Sequence, residues 1–118
     1  MQYMLLIYTE EPQGEVDPAE DAEVMDAYNA FTESIRQSGA MITGEALYPT
    51  PSATSVRVRD GKTVTTDGPF AETKEALGGF YVIEAADLDE AIAIAAACPG
   101  ARYGTVELRP TVVFDSPA

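Results

Sequence analysis

The stretch DGPFAETKEALGGF, residues 67–80, decides how the chain is organised. It opens on a turn and places Asp67, Glu72, Lys74 and Glu75 within nine residues. It closes on Gly78-Gly79 before an apolar run. Gly68 precedes Pro69 and is pushed away from helical backbone. Pro69 fixes its own φ and donates no N–H. Asp67 is placed to bond the backbone two residues on, and Phe70 is expected to anchor the turn against a core. Residues 72–75 leave room for about one helical turn. The double glycine lets the chain enter a strand with unusual φ, or lets another group approach closely. Taken alone, these residues also fit a solvated loop between two strands, because loops are polar by default.

Outward from this loop the pattern is regular. Residues 79–85 form a strand apolar on both faces. Asp87 then caps a helix whose expected buried side is Leu88, Ile92, Ala95 and Ala96, stopped by Pro99-Gly100. Residues 105–114 are the last strand, in which Val106 and Leu108 share one face and Glu107 and Arg109 the other. Pro110 fits an edge or a bulge. Before the loop, residues 55–59 alternate cleanly, Asp60-Gly61 is a preferred type I′ hairpin pair, and residues 62–66 return. The hairpin gathers Arg57, Arg59 and Lys62, three of only seven basic residues, as charges that guard an edge.

At the start, residues 3–8 are a continuous apolar run, expected to be a strand buried on both faces. Asp17-Pro18 begins a helix, with Val24, Tyr28, Phe31 and Ile35 as one apolar stripe and Gly39 as the stop. Residues 40–47 give a second strand, awkwardly interrupted at Gly44-Glu45. The order strand-helix-strand, hairpin, loop, strand-helix-strand predicts an α+β domain. Its sheet is a split βαβ, ferredoxin-like sandwich with both helices on one face and an inserted hairpin. Two helices cover one sheet face only, so a homodimer is expected to bury the other.

Composition narrows the function. A chain of 118 residues is one domain, taken as residues 1–118. Its formal charge is -13, from 7 basic and 20 acidic residues, which disfavours nucleic acid and anionic membranes. With no His and only Cys98, His- and Cys-based metal sites and His-dependent triads are excluded within one chain, and no metal or cofactor is expected. A lone cysteine fits a reducing cytoplasm. The opening MQYMLLIYTE is too short for a membrane span and has no basic lead-in of a signal peptide.

DGPFAETKE followed by GGFYVIEA resembles the signature of the YCII-related proteins, in the branch often called the DGPF domain. The similarity continues through DLDEAIAIAAACPGARYGTVELRP and back to MQYMLLIYTEEP, so it covers essentially the whole chain. The resemblance implies a small ferredoxin-like domain forming a dimeric α+β barrel. Some relatives are linked by genomic context to sigma factors, and a few distant ones are small-molecule enzymes. In relatives proposed to be catalytic, a His on the first helix and an Asp before the Pro that ends the second form an acid–base dyad. Aligned on Gly39 and on Cys98-Pro99, those positions are here Tyr28 and Cys98. Neither group does ordinary acid–base work near neutral pH, since a tyrosine titrates near about 10.

The polar candidates are therefore elsewhere. No catalytic set is assigned; Asp67, Glu72 and Lys74 are the candidates for such a role, and Tyr8, Phe70, Glu107 and Arg109 are candidates for substrate binding. Two classes of function follow. One is a small-molecule binder or enzyme with a pocket under the loop, where Tyr8, Glu72, Lys74 and Arg109 converge. The other is a non-catalytic interaction module acting on a protein partner such as a sigma factor. In either class the loop is expected to meet the last strand, with Glu72 or Lys74 against Glu107 or Arg109.

Overall fold

Strand β1 (Gln2–Thr9) is central because its apolar run leaves no face for water. It pairs antiparallel with β5 (Ala76–Glu84) on one side and β6 (Thr105–Pro110) on the other. The structure, a computed structural model, describes residues 1–12 and 14–114; residues 115–118 of the expected domain lie outside them. Strand β2 (Met41–Ala46) pairs with the outer side of β5, giving a four-stranded antiparallel sheet of order β2-β5-β1-β6. The interruption at Gly44-Glu45 does not break β2; the irregularity is a register shift between Met41 and Thr43.

Helices α1 (Pro18–Gln37) and α2 (Leu88–Ala97) pack on the same sheet face. Tyr3, Leu5 and Ile7 alternate into a core shared with Phe31 and Ile35 of α1, Ile83 of β5, and Ala91, Ala95 and Cys98. Phe31 meets Tyr81 edge to face, with ring centroids 5.3 Å apart. The start of α1 follows from its capping chemistry: the Asp17 carboxylate accepts from the Ala19 N–H, and Pro18 occupies the first turn. Asp87 caps α2 in the same way, accepting from Glu90 N–H, while the Glu90 carboxylate accepts from Ala86 N–H.

Four expectations need correction. The buried side of α2 is Ala91, Ala95 and Cys98, whereas Leu88 and Ile92 are half-exposed, at 51% and 49%. Small alanines let the helix lie close to the sheet, and the bulkier residues are turned out. After Pro99 the chain resumes as a short helix, α3 (Gly100–Tyr103), because Pro99 itself adopts helical angles and so serves as an entry to a turn. The last strand ends at Pro110, which has no N–H to give; beyond it Thr111 still donates to the Gln2 carbonyl. β1 is also less covered than expected. Tyr3, Leu5 and Ile7 are buried, but Met4, Leu6 and Tyr8 on the other face are half-buried in the protomer.

The hairpin forms as predicted. β3 (Thr54–Arg59) and β4 (Lys62–Asp67) make a separate two-stranded sheet, turned by Asp60 (φ 52°) and Gly61 (φ 74°). Its base is fixed where Gly68 N–H donates to Ala53 O at 2.7 Å and Ser55 Oγ donates to Gly68 O at 2.8 Å. The described chain is thus a mixed α+β fold with antiparallel sheets and three helices. No described helix is long and apolar enough to cross a membrane.

Candidate functional site

The loop of residues 68–75 leaves β4, passes beside the end of β1 and enters β5. Three separate contacts hold the surrounding walls. The Glu11 carboxylate accepts from the N–H and the hydroxyl of Thr50, each at 2.7 Å, which ties the chain after β1 to the single 3-10 turn Thr50–Ser52. Lys74 Nζ lies 3.3 Å from Glu10 Oε1. Thr105 Oγ1 donates to the Glu75 carboxylate at 3.2 Å, which ties the loop to the start of β6. Between these walls is an open cleft of about 550 Å³, whose charged lining is Glu10, Glu11, Glu72 and Lys74. Glu11 and Glu10 are already engaged; among the described residues Glu72 has no hydrogen-bond or ion-pair partner.

A second cleft, of about 490 Å³, runs along α1 and the start of β5. Tyr28, Asn29 and Thr32 line it from the helix, and Gly79 and Tyr81 from the strand. Thr32 Oγ1 and the Tyr81 hydroxyl are 2.7 Å apart. Behind this lining the Tyr28 hydroxyl meets Cys98 and the Gly100 N–H. Gly100 is required by this approach: a Cβ there would fall 2.5 Å from Ile7 Cγ2 and 2.9 Å from the Tyr28 oxygen. Burial pushes the Tyr28 phenol up to about 12, aided by negative charge at Cys98 or Tyr81 and opposed by the Gly100 N–H. Burial likewise pushes the Cys98 thiol up, against hydrogen bonds from Gly100 N–H and Tyr28. Both groups are therefore neutral near pH 7. The pair offers hydrogen bonds but neither a general base nor a thiolate.

The two positions singled out by the dyad alignment are thus brought together in space. A sequence comparison decides the family. The family model for the YCII-related domain matches residues 1–115. The chain belongs to the YCII-related family. It is also 37% identical to an uncharacterized protein of Rhizobium meliloti (strain 1021), over 97% of this chain and 94% of that protein.

In this YCII-related chain the expected convergence under the loop is only partial. Glu72 and Lys74 line the loop cleft, but Tyr8 and Arg109 do not. Tyr8 donates to Glu107 Oε1 at 3.4 Å. Glu107 is paired with Leu6 and Arg109 with Met4, so both charges lie on the sheet face away from the helices. Lys74 meets Glu10 rather than the last strand, and the loop reaches β6 through Glu75 and Thr105. The register explains this. Tyr8 lies opposite Thr105, at the start of β6, and Arg109 lies four residues further along, away from the loop. Asp67 closes β4 opposite Thr54 and is exposed. Phe70 is 82% exposed and does not anchor the turn against the core. Backbone bonds at Gly68 hold the turn instead.

Sequence reasoning missed Glu11 and Thr50 in one cleft and the Glu75–Thr105 contact beside it, and Asn29 and Thr32 in the other with Gly100 behind it. The i, i+4 spacing of Tyr28 and Thr32 was a usable signal, since it places both on one helix flank. Nothing local marks the long-range Glu11–Thr50 and Glu75–Thr105 contacts. Among the described residues no cluster of three or more Cys, Asp or Glu is arranged to hold a metal ion.

Proposed function

We propose that this YCII-related protein binds a small cationic or amine-bearing molecule in the cleft under residues 68–75. The observation that carries this reading is Glu72: it lines a cleft with held walls, while the neighbouring Glu10 and Glu11 are already satisfied. Glu72 is exposed at the cleft and tied to no other side chain among the described residues, so it is open to a ligand that brings its own donor. Asp67 and Phe70, exposed next to the lining residues Gly68, Pro69 and Ala71, are then available to close over it. Chemistry at Tyr28 and Cys98 is not part of this reading, because both stay protonated.

A thermal-shift survey of small amines, neutral polyols and carboxylates tests the proposal. An amine that raises the melting temperature is expected, and its effect should vanish in Glu72→Gln and persist in Tyr28→Phe. Stabilisation by carboxylates alone, or an amine effect that survives Glu72→Gln, would defeat the reading. The exposed Phe70 favours a second reading, a protein partner such as a sigma factor docking on the loop. Under it, Phe70→Ala abolishes capture of that partner and Glu72→Gln changes no melting temperature.

The same protein is proposed to be a cytoplasmic homodimer. The strand order β2-β5-β1-β6, with both helices on one face, supports a ferredoxin-like assignment. Met4, Leu6, Phe80 and Val82 on the open face support closure against a second copy as an α+β barrel, with Glu107 and Arg109 at its rim.

A further inference from the structure

We infer that the β3–β4 hairpin is an arm that docks its cationic face on the acidic N-terminal half of α1 in a second copy of this chain. Arg57, Arg59 and Lys62 project to one side of the hairpin: Arg59 is paired with Lys62, and Arg57 stands two residues away along the same strand. Every residue of the two strands except Ser55 is exposed, and the hairpin shares its sheet with no other strand. A two-stranded sheet on its own is marginal in water and is normally completed by further strands or a packed surface.

The charges say what completes it. Seven cations face twenty acids in this chain, and three of the seven stand on this one surface. Arg36 and Lys74 each have a carboxylate partner within the protomer, on Glu33 and Glu10. Among the described residues Arg57, Arg59 and Lys62 have none; Arg59 donates only to the neighbouring Val58 carbonyl. An exposed acidic row runs along the first half of α1 at Glu20, Glu23 and Asp26. Their spacing of three puts neighbours roughly 5–6 Å apart on a helix, close to the roughly 7 Å between alternate residues of a strand. Two copies each carrying -13 repel one another. The hairpin supplies the local compensation, and two-fold symmetry makes the contact twice. The docking does not depend on which sheet face the copies share.

A charge-swap experiment tests it. The variants Arg57→Glu/Arg59→Glu and Glu23→Lys/Asp26→Lys are each followed by sedimentation, alone and mixed in equal amounts. Each alone should self-associate at least about tenfold more weakly than the parent, through like-charge contact. The mixture should regain the parent's association, because each reversed hairpin then meets a reversed helix. Unchanged association of either variant, or no recovery on mixing, overturns the inference; with the dimer intact, such a result leaves the open-face dimer standing. Should either variant fail to fold, zero-length cross-linking of the parent decides, using a mixture of isotopically light and heavy copies. Inter-copy links from Lys62 to Glu20, Glu23 or Asp26 are expected, and their absence overturns the docking.

Discussion

Two clefts of similar size open on either side of the start of β5, and they differ in what their walls are made of. The loop cleft is walled by charged side chains, of which Glu11 is held by Thr50 and Glu10 and Lys74 by each other. The helix-side cleft has Tyr28 in its wall, and behind that ring the hydroxyl meets Cys98 and Gly100 as a packed floor outside the lining. In the first, removing one side chain alters charge and leaves packing alone. In the second, adding one methyl group alters packing and leaves charge alone. The contrast is that Tyr28 and Cys98 are spent on packing against the core, while the charged side chains of the loop cleft remain at the surface.

The largest expected effect comes from attacking the packed floor. Gly100→Ala should cost about 1–3 kcal/mol of stability, the usual range for overpacking, because its Cβ would sit 2.5 Å from Ile7 Cγ2. The urea midpoint measures this. A cost below about 0.5 kcal/mol, the range of an ordinary surface substitution, would mean that the floor is loose. The helix-side cleft would then regain its claim as the site.

A smaller effect is expected at the loop wall. Glu11→Ala removes two charge-assisted hydrogen bonds to Thr50, each 2.7 Å long, at a partly exposed position. The expected loss is about 1 kcal/mol, accompanied by loss of the amine-induced rise in melting temperature. Full retention of that rise would show that the wall is not needed for binding.

A further effect is confined to alkaline solution. Tyr28 is held up to about 12 in the folded chain against an ordinary value of 10.0. Below about pH 10 its proton is bound in both states, so the stability associated with the raised value is fully present there. Between about pH 10 and 12 the unfolded chain releases that proton first, and stability falls as pH rises. Denaturant melts of Tyr28→Phe across this range should show a shallower decline than the parent. Equal slopes would mean that the phenol is not buried as described.

Much of the fold was legible because its signals are local. Asp17-Pro18, Asp87 through Glu90 and Asp60-Gly61 each act within a few residues, and each was placed correctly. The face of α2 was not, because side-chain hydrophobicity ranks Leu88 and Ile92 above Ala91, whereas close approach to the sheet ranks them below. Pro99-Gly100 reads as a stop, although Pro99 in helical geometry also begins α3. The site was legible only as a region. Within residues 67–75, Gly68, Pro69 and residues 71–74 border a cleft, Glu72 and Lys74 among them, whereas Asp67 and Phe70 do not. Their partners depend on the registers of β1 with β5 and β6, which no local pattern states. Phe70 was misjudged because an aromatic beside a Pro turn fits both an anchor and an exposed tip.

The place of β1 at the centre of the sheet has a consequence for biosynthesis. Leu5 finds its neighbours in Tyr81 and Leu108, so β1 is completed by strands made long after it. Contacts so distant along the chain slow folding, because the intervening segment must close before they form. Until β5 leaves the ribosome, an apolar strand with two unpaired edges stands ready to join any similar strand nearby. The acidic tract that follows, from Glu10 to Asp26, is made immediately afterwards. Its like charge keeps neighbouring nascent chains apart during that interval.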